Sequence, residues 1–378
     1  MFDVIVSGAG PAGAVAATVL ARGGARVLLL DRARFPRDKL CGDTINPGAL
    51  AVLRRLQLTD RFEPTALPID GMVVTGERGV RVQCAYGRGQ RGLAVLRRDL
   101  DAALVHGAVD AGARLEEGVL VRGPLLDDTR AVGGVVLAGR DGLDVRVPAP
   151  LVIAADGRRS RIAIAAGLIR HPARPRRWAI GAYYAGVSGL SAFGEMHVRR
   201  GRYIGVAPLP SGDANLCVVI ERDAAHDDPA AVLRDAIARE PDLRDRFASA
   251  RMLGEPAVLG PLAVDAAAAG APGLLLAGDA AGFIDPMTGD GLRFAVRGGE
   301  LAAIAALAAL AGKPGLPHTR LARLRRREFA AKWRFNRALR ALVSREVTVG
   351  IAARVAHTAP WMLRRTIAFA ADLPRGAA

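Results

Sequence analysis

Between an apolar run at residues 3–7 (Asp-Val-Ile-Val-Ser) and a stretch of small residues and Leu reaching Arg22 stands Gly8-Ala9-Gly10-Pro11-Ala12-Gly13. Nothing else in the chain constrains its fold as tightly. Three glycines at this spacing suit a loop that leaves a buried strand and enters a helix. Gly8 allows the tight turn, Gly10 lets the backbone approach a pyrophosphate, and Gly13 lets helix pack closely on strand. The helix then presents free N–H groups and the positive end of its dipole to an anion, with Pro11 and Ala12 in its first turn. Gly23-Gly24 break that helix, and Arg26-Val27-Leu28-Leu29-Leu30 forms a second strand ending at Asp31. A carboxylate at that tip can accept both hydroxyls of an adenosine ribose. The whole reads as a βαβ unit built for a dinucleotide, with Asp31 and the adjoining Arg32 as its adenosine contacts.

The remaining composition limits what this unit belongs to. A chain of 378 residues, 51% hydrophobic and 24% charged, has side chains for a substantial core and is neither disordered nor fibrous. The net charge of +16 would suit an anionic partner, but Lys39, Lys313 and Lys332 are the only lysines among 53 basic residues. So extreme an arginine bias matches the wealth of Ala and Gly expected of GC-rich coding. Cys41, Cys84 and Cys217 are widely spaced without a Cys-x-x-Cys pair, which argues against a disulfide framework or a zinc site. Cys84 and Cys217 lie in strand-like runs and read as core. The longest apolar stretch, 301–311, is too short to span a bilayer, and the start lacks the pattern of a secretion signal, so the expected location is the cytoplasm.

Two later segments repeat the strand-to-glycine design. One is Leu151-Val152-Ile153-Ala154-Ala155-Asp156-Gly157, and the other is Gly273-Leu274-Leu275-Leu276-Ala277-Gly278-Asp279. In the order G-x-G-x-x-G, Asp-Gly, Gly-Asp, the three signatures resemble the flavoprotein superfamily of aromatic hydroxylases, flavin halogenases and geranylgeranyl reductases. That resemblance covers nearly the whole chain and implies FAD. The first motif would hold its ADP half, Gly278 and Asp279 its ribityl chain, and Asp156-Gly157 would lie near the pyrophosphate. With no second glycine fingerprint, NAD(P)H would visit a shared groove as electron donor.

Within the superfamily, Arg37-Asp38-Lys39-Leu40-Cys41-Gly42 is most similar to the Pro-Arg-x-Lys-x-Cys-Gly stretch of geranylgeranyl reductases, whose cysteine lies near the flavin. Pro286-Met287-Thr288-Gly289-Asp290-Gly291-Leu292 resembles their Pro-x-x-Gly-x-Gly-Ile element. Arg97-Arg98-Asp99-Leu100-Asp101 resembles an Arg-x-x-Phe-Asp element, with Arg97 in the flavin-contacting position. Physically, Gly289 and Gly291 open a helix whose N-terminus would stabilise negative charge on a reduced flavin, with Asp290 as its cap. Arg37 and Lys39, if close to Cys41, would lower its thiol pKa and make it reactive; the alternative is simple packing.

The resemblance implies an α/β fold: a Rossmann-like FAD-binding domain with a β-sheet substrate domain of the aromatic-hydroxylase type and C-terminal helices. Both domains are expected to be discontinuous. The FAD-binding domain takes residues 1–68, 96–165 and 269–312, the substrate domain takes 69–95 and 166–268, and 313–378 are basic helices. Strands are expected near 179–185, 194–198, 203–207 and 215–221, with a helical stretch over 228–248.

Against the Tyr-x-Trp-x-Phe-Pro-x-x-x-Gly element of geranylgeranyl reductases, this chain keeps Tyr203, Pro208 and Gly212 but has Gly205 and Ala207 where the rings would be. The freed volume implies a bulkier or differently shaped substrate. The expected reaction is reduction of a C=C bond in a hydrophobic isoprenoid, quinone or lipid-like molecule, with Cys41, Tyr203 or water as proton donor. Hydroxylation of an aromatic or polyketide-like ring is the alternative, although Gly282 stands where many aromatic hydroxylases have His. The halogenase Trp-x-Trp-x-Ile-Pro element is absent.

From residue 316 onward, 14 basic residues face three acidic ones, interspersed with Phe329, Trp333, Phe335, Leu339 and Leu342 at helical spacing. Such helices either close the FAD domain with a solvated face or rest on an anionic membrane at its inner surface. A flavin-binding regulator of nucleic acid would be the rival of another class. No nucleic-acid-reading motif appears, so no nucleic-acid partner is expected.

Overall fold

The computed structural model describes residues 1–87, 89–139, 142–173, 177–221, 228–343 and 359–373. The βαβ unit forms as its residues dictate. Strand Val4–Ser7 pairs in parallel with Val27–Asp31 on one side and Leu151–Ala154 on the other. Val4, Ile5 and Val6 are completely buried, because helices cover one face of this sheet and a second layer covers the other. Leu274–Leu276 adds beyond Leu151–Ala154, and Arg114–Glu117 adds beyond Val27–Asp31. All three glycine-bearing signatures therefore leave neighbouring strands of one sheet at the same edge, where ligands bind in open α/β sheets.

Helix Pro11–Arg22 lies against helix Gly291–Leu310, and their closeness depends on one glycine. A Cβ on Gly299 would stand 2.1 Å from the Ala12 carbonyl oxygen. A three-stranded antiparallel sheet, Val121–Leu126, Val132–Ala138 and Asp144–Pro148, backs the opposite face of the parallel sheet.

The second large sheet has seven strands. Four of them, Trp178–Ala185, Phe193–Arg199, Arg202–Pro208 and Ala214–Ile220, occupy the regions expected from alternation. Arg251–Leu259 forms one edge, and Gly71–Thr75 and Arg81–Ala85 complete the other, the former pairing in parallel with Phe193–Arg199. The helical stretch read over 228–248 divides into Pro229–Ala238 and Pro241–Arg244. Pro241 explains the break, since it has no N–H for the preceding turn.

Two C-terminal helices, Pro317–Val343 and Pro360–Ala370, close the structure. The first buries Leu321, Arg325, Phe329, Lys332 and Asn336 on one stripe. Arg325 is the unexpected member: its guanidinium donates to the Ala281 carbonyl and lies over the rings of Phe329 and Trp333. No helix among the described residues is long and apolar enough to cross a membrane.

Candidate active site

A cavity of about 690 Å³ runs between the two large sheets. Its nucleotide end begins at Gly10, Pro11 and Ala12. Gly8 and Gly13 lie behind this surface and set its shape. Gly8 has φ +98°, and a Cβ there would strike the Ala155 carbonyl at 2.5 Å; a Cβ on Gly13 would lie 1.7 Å from the Gly8 oxygen. The helix starting at Pro11 has neither a side-chain cap nor an acidic residue in its first turn, so its N–H groups and dipole remain available to an anion.

Asp31 also lies outside the cavity lining. Its two oxygens accept from the backbone N–H groups of Ala9 and Ala33, both at 2.8 Å, which pins the glycine loop to the second strand. Arg32 points to solvent. Asp156 accepts from the Arg161 N–H with one oxygen, whereas its buried Oδ1 has no partner; burial raises its pKa, with Ser160 acting against the shift. Gly157 lines the cavity, as do Gly278 and Asp279.

The far wall of this end is Pro286, Gly289, Gly291 and Leu292, at the start of helix Gly291–Leu310. Asp290 departs from the expected capping role, for its side chain makes no cap hydrogen bond. Instead it is buried and accepts from Lys332 Nζ at 2.7 Å. Lys332 also donates to the Ala370 carbonyl at 2.7 Å and lies 3.1 Å from Asp372. One ammonium thus joins the start of helix Gly291–Leu310 to both C-terminal helices.

Lys39, Cys41, Gly42 and Arg97 line the middle of the cavity. Arg97 bonds Asp101 through Nε at 2.6 Å, and Arg37 holds the other Asp101 oxygen at 3.1 Å. The expectation of an acidified thiol is overturned. Burial pushes the Cys41 pKa up, and the opposing cation is Arg97 rather than Arg37 or Lys39. Lys39 itself is pulled below the usual lysine value, by burial and then by Arg97.

Beneath Cys41 lies a polar cluster that motif reading missed. Asp43 accepts from the Arg97 N–H at 2.8 Å, from Asn215 at 2.6 Å and from the Tyr183 hydroxyl. Its pKa is nevertheless pushed up to about 6 by burial. Asn215 also donates to the Cys41 carbonyl at 2.8 Å, fixing the cysteine loop to the second sheet. Cys217, read as core, packs against the cluster of Ala179, Tyr203, Val219 and Leu262 and also lines the cavity, with a pKa raised by burial to about 12.

Tyr203 is buried in the cavity wall, and its hydroxyl donates to Asp285 Oδ1 at 2.7 Å. Arg177 grips the other Asp285 oxygen at 2.7 Å. Burial, then Asp285, holds the phenol well above its usual pKa. Beyond Tyr203 the walls are mainly apolar: Met72, Val74, Met196 and Val198 come from the sheet, and Phe335, Leu363 and Ile367 from the C-terminal helices, with Thr75, Glu77, Glu195 and Thr366 among them. The retention of Lys39 and Lys332 in a chain that otherwise uses arginine was a signal for two of these positions. Asp43, Asn215, Arg177 and Asp285 carried none, because their partners are distant in sequence.

Residues 1–316 match the FAD binding domain family. FAD also fits what is present: a glycine loop in which a Cβ at Gly8 or Gly13 would strike backbone, an open helix N-terminus and an orphaned buried carboxylate oxygen at the same edge. The fold and site thus define an FAD-dependent oxidoreductase.

Among curated relatives, the menaquinone reductase of Mycolicibacterium smegmatis is 32% identical over 316 residues, 80% of this chain and 75% of that protein. Digeranylgeranylglycerophospholipid reductase 1 of Methanopyrus kandleri is 33% identical over 315 residues, covering 80% and 79%. A flavoprotein/dehydrogenase from Cytophaga hutchinsonii superposes with a TM-score of 0.85 at 22% identity, over 98% of this chain and 92% of that one. The myxobacterial chondrochloren halogenase does so at 0.82 and 22%, over 98% and 96%; likeness at this level is one of fold. The chain belongs to the geranylgeranyl reductase-like family of FAD-dependent oxidoreductases, and it is a reductase of the geranylgeranyl or menaquinone reductase type.

Proposed function

We propose that this enzyme takes electrons from NAD(P)H and reduces a C=C bond in a hydrophobic isoprenoid, quinone or lipid-like substrate. The observation that carries the reading is the single cavity joining the nucleotide edge, the Cys41 thiol and a long apolar chamber. The names of the relatives point to the same substrate class.

In this reading Gly8, Gly10, Pro11, Ala12 and Gly13 shape the pyrophosphate seat, and Asp31 with Arg32 borders the adenosine. Asp156, Gly157, Gly278 and Asp279 border the central chain of the cofactor. Lys39, Gly42, Arg97, Pro286, Gly289, Asp290, Gly291 and Leu292 surround its ring. Bound FAD, once reduced, supplies the two electrons and one hydrogen that the alkene takes up. Cys41 supplies the other hydrogen as a proton from Sγ. The upward-shifted pKa suits that role, since the thiol arrives protonated at neutral pH. Arg97, beside the sulfur, stabilises the thiolate left behind. Tyr203 is the weaker donor, because its proton is already committed to Asp285, and it serves as a rigid wall. The apolar chamber excludes water from the reacting carbon.

The test is anaerobic reduction by NADPH or NADH, followed by addition of an isoprenoid quinone or a geranylgeranylated lipid. Return of the flavin colour together with a substrate mass increased by two hydrogens is expected. Cys41→Ala should slow this second phase by roughly 10²-fold or more while leaving reduction by the nicotinamide intact. Gain of an oxygen atom in air, with no hydrogenated product without it, would overturn the proposal in favour of hydroxylation.

A further inference from the structure

Helix Pro360–Ala370 has two functional faces. Leu363, Thr366, Ile367 and Ala370 line the cavity. On the outer side Trp361, Met362 and Phe369 are 57%, 46% and 40% exposed, and Arg364 and Arg365 are exposed with them. At 3.6 residues per turn, Trp361, Arg365, Phe369 and Met362 fall within an arc of about 100°. Three large apolar side chains on about two turns of one helix face are not the scattered single residues normal for a soluble face. Met362 belongs to both sets: it lines the cavity and is exposed. The apolar strip therefore runs up to the cavity wall.

The neighbouring helix adds charge. Arg323, Arg326, Arg327, Arg334 and Arg337 are exposed on Pro317–Val343. They share an arc of about 100°, and none has a carboxylate partner among the described residues. The two helices are joined by the edge-on rings of Phe335 and Phe369 at 5.0 Å and by the Lys332 bond to Ala370.

We propose that the outer face of helix Pro360–Ala370 docks on a bilayer containing anionic lipids, so that the cavity mouth at Met362 opens onto the lipid surface. Trp361, Met362 and Phe369 enter the headgroup–acyl boundary, and the arginines meet acidic headgroups. A solvated face would have no use for the apolar strip, and a nucleic-acid face would not place it against the wall of a hydrophobic chamber. The proposal concerns how the cavity is reached, and it holds whatever bond is reduced inside.

The test is co-sedimentation of the full-length holoenzyme with phosphatidylcholine vesicles with and without phosphatidylglycerol. Binding is expected to need phosphatidylglycerol and to fall with salt. Combining Trp361→Ser with Arg365→Glu should weaken it about tenfold or more. FAD content and flavin reoxidation by a short-chain, water-soluble quinone should stay unchanged. That second readout separates this proposal from the reaction, which would fail in the soluble assay. Absence of binding by the parent protein, or equal binding by the variant, would overturn the proposal. So would a concentration-dependent dimer that the variant abolishes, because a second copy would then cover the face.

Discussion

Lys332→Met tests how the C-terminal helices are held over the cofactor edge. In the folded protein Lys332 and Asp290 side chains are 7% and 1% exposed and lie 2.7 Å apart. Among the described residues Asp290 Oδ2 lacks a hydrogen-bond partner, and besides Lys332 its carboxylate has only the long bond from Asn46 at 3.4 Å and the neighbouring Thr288 hydroxyl. Removing the ammonium strands a buried carboxylate, a change that costs about 3–5 kcal/mol. Burial already keeps Asp290 above the ordinary value of 3.8 even with Lys332 beside it. Without Lys332 it rises further. An acid whose folded pKa is raised destabilises the protein once pH exceeds its unfolded value, and the loss is complete above its folded value. The deficit of Lys332→Met should therefore grow as pH rises above the unfolded value near 3.8 and shrink as pH falls toward it. Adding Asp290→Asn should recover more than half of it, the remainder being the lost bonds to Ala370 and Asp372. Urea unfolding followed by tryptophan fluorescence, with Trp333 next to the change, measures each quantity. A deficit below about 1 kcal/mol, or one that neither low pH nor Asp290→Asn relieves, would refute the buried-charge argument.

Gly13→Ala should yield protein depleted of flavin, because its Cβ would collide with backbone at 1.7 Å and push the helix N-terminus off its seat. Gly133→Ala, where nothing lies within 4 Å, should keep its colour, and absorbance of the purified proteins compares them. Asp43, raised from 3.8 to about 6, should cost the native state about 3 kcal/mol as pH climbs through that interval. Asp43→Asn should flatten that part of the stability–pH curve, and an unchanged slope would show that another group causes it.

Much of the fold was legible because its signals are local. The glycine loop, the apolar runs of the parallel sheet and the alternation of the antiparallel strands each sit within a dozen residues, and period and turn chemistry read them directly. The helix expected over 228–248 failed where Pro241 interrupted it and again after Arg244, where the chain turns. Gly10, Gly157 and Asp279 came together in one cavity because three neighbouring strands deliver them to one edge, and Cys41 and Arg97 reach the same cavity from a loop and a helix start outside those strands.

Chemical state was not legible in the same way. Arg37 and Lys39, close to Cys41 in sequence, suggested an acidic thiol, but burial under the second sheet decided the opposite. Asp290, a helix-start carboxylate by position, became the counter-ion of a lysine 42 residues away. Likewise Asp43 met Asn215 and Asp285 met Arg177 only after the sheets had packed. The sequence by itself determined which backbone segments would curve around a dinucleotide, since conformational preference is a property of neighbouring residues. Tertiary structure alone decided which groups lost water and which charges faced each other, because desolvation and Coulomb energy depend on distance in space rather than along the chain.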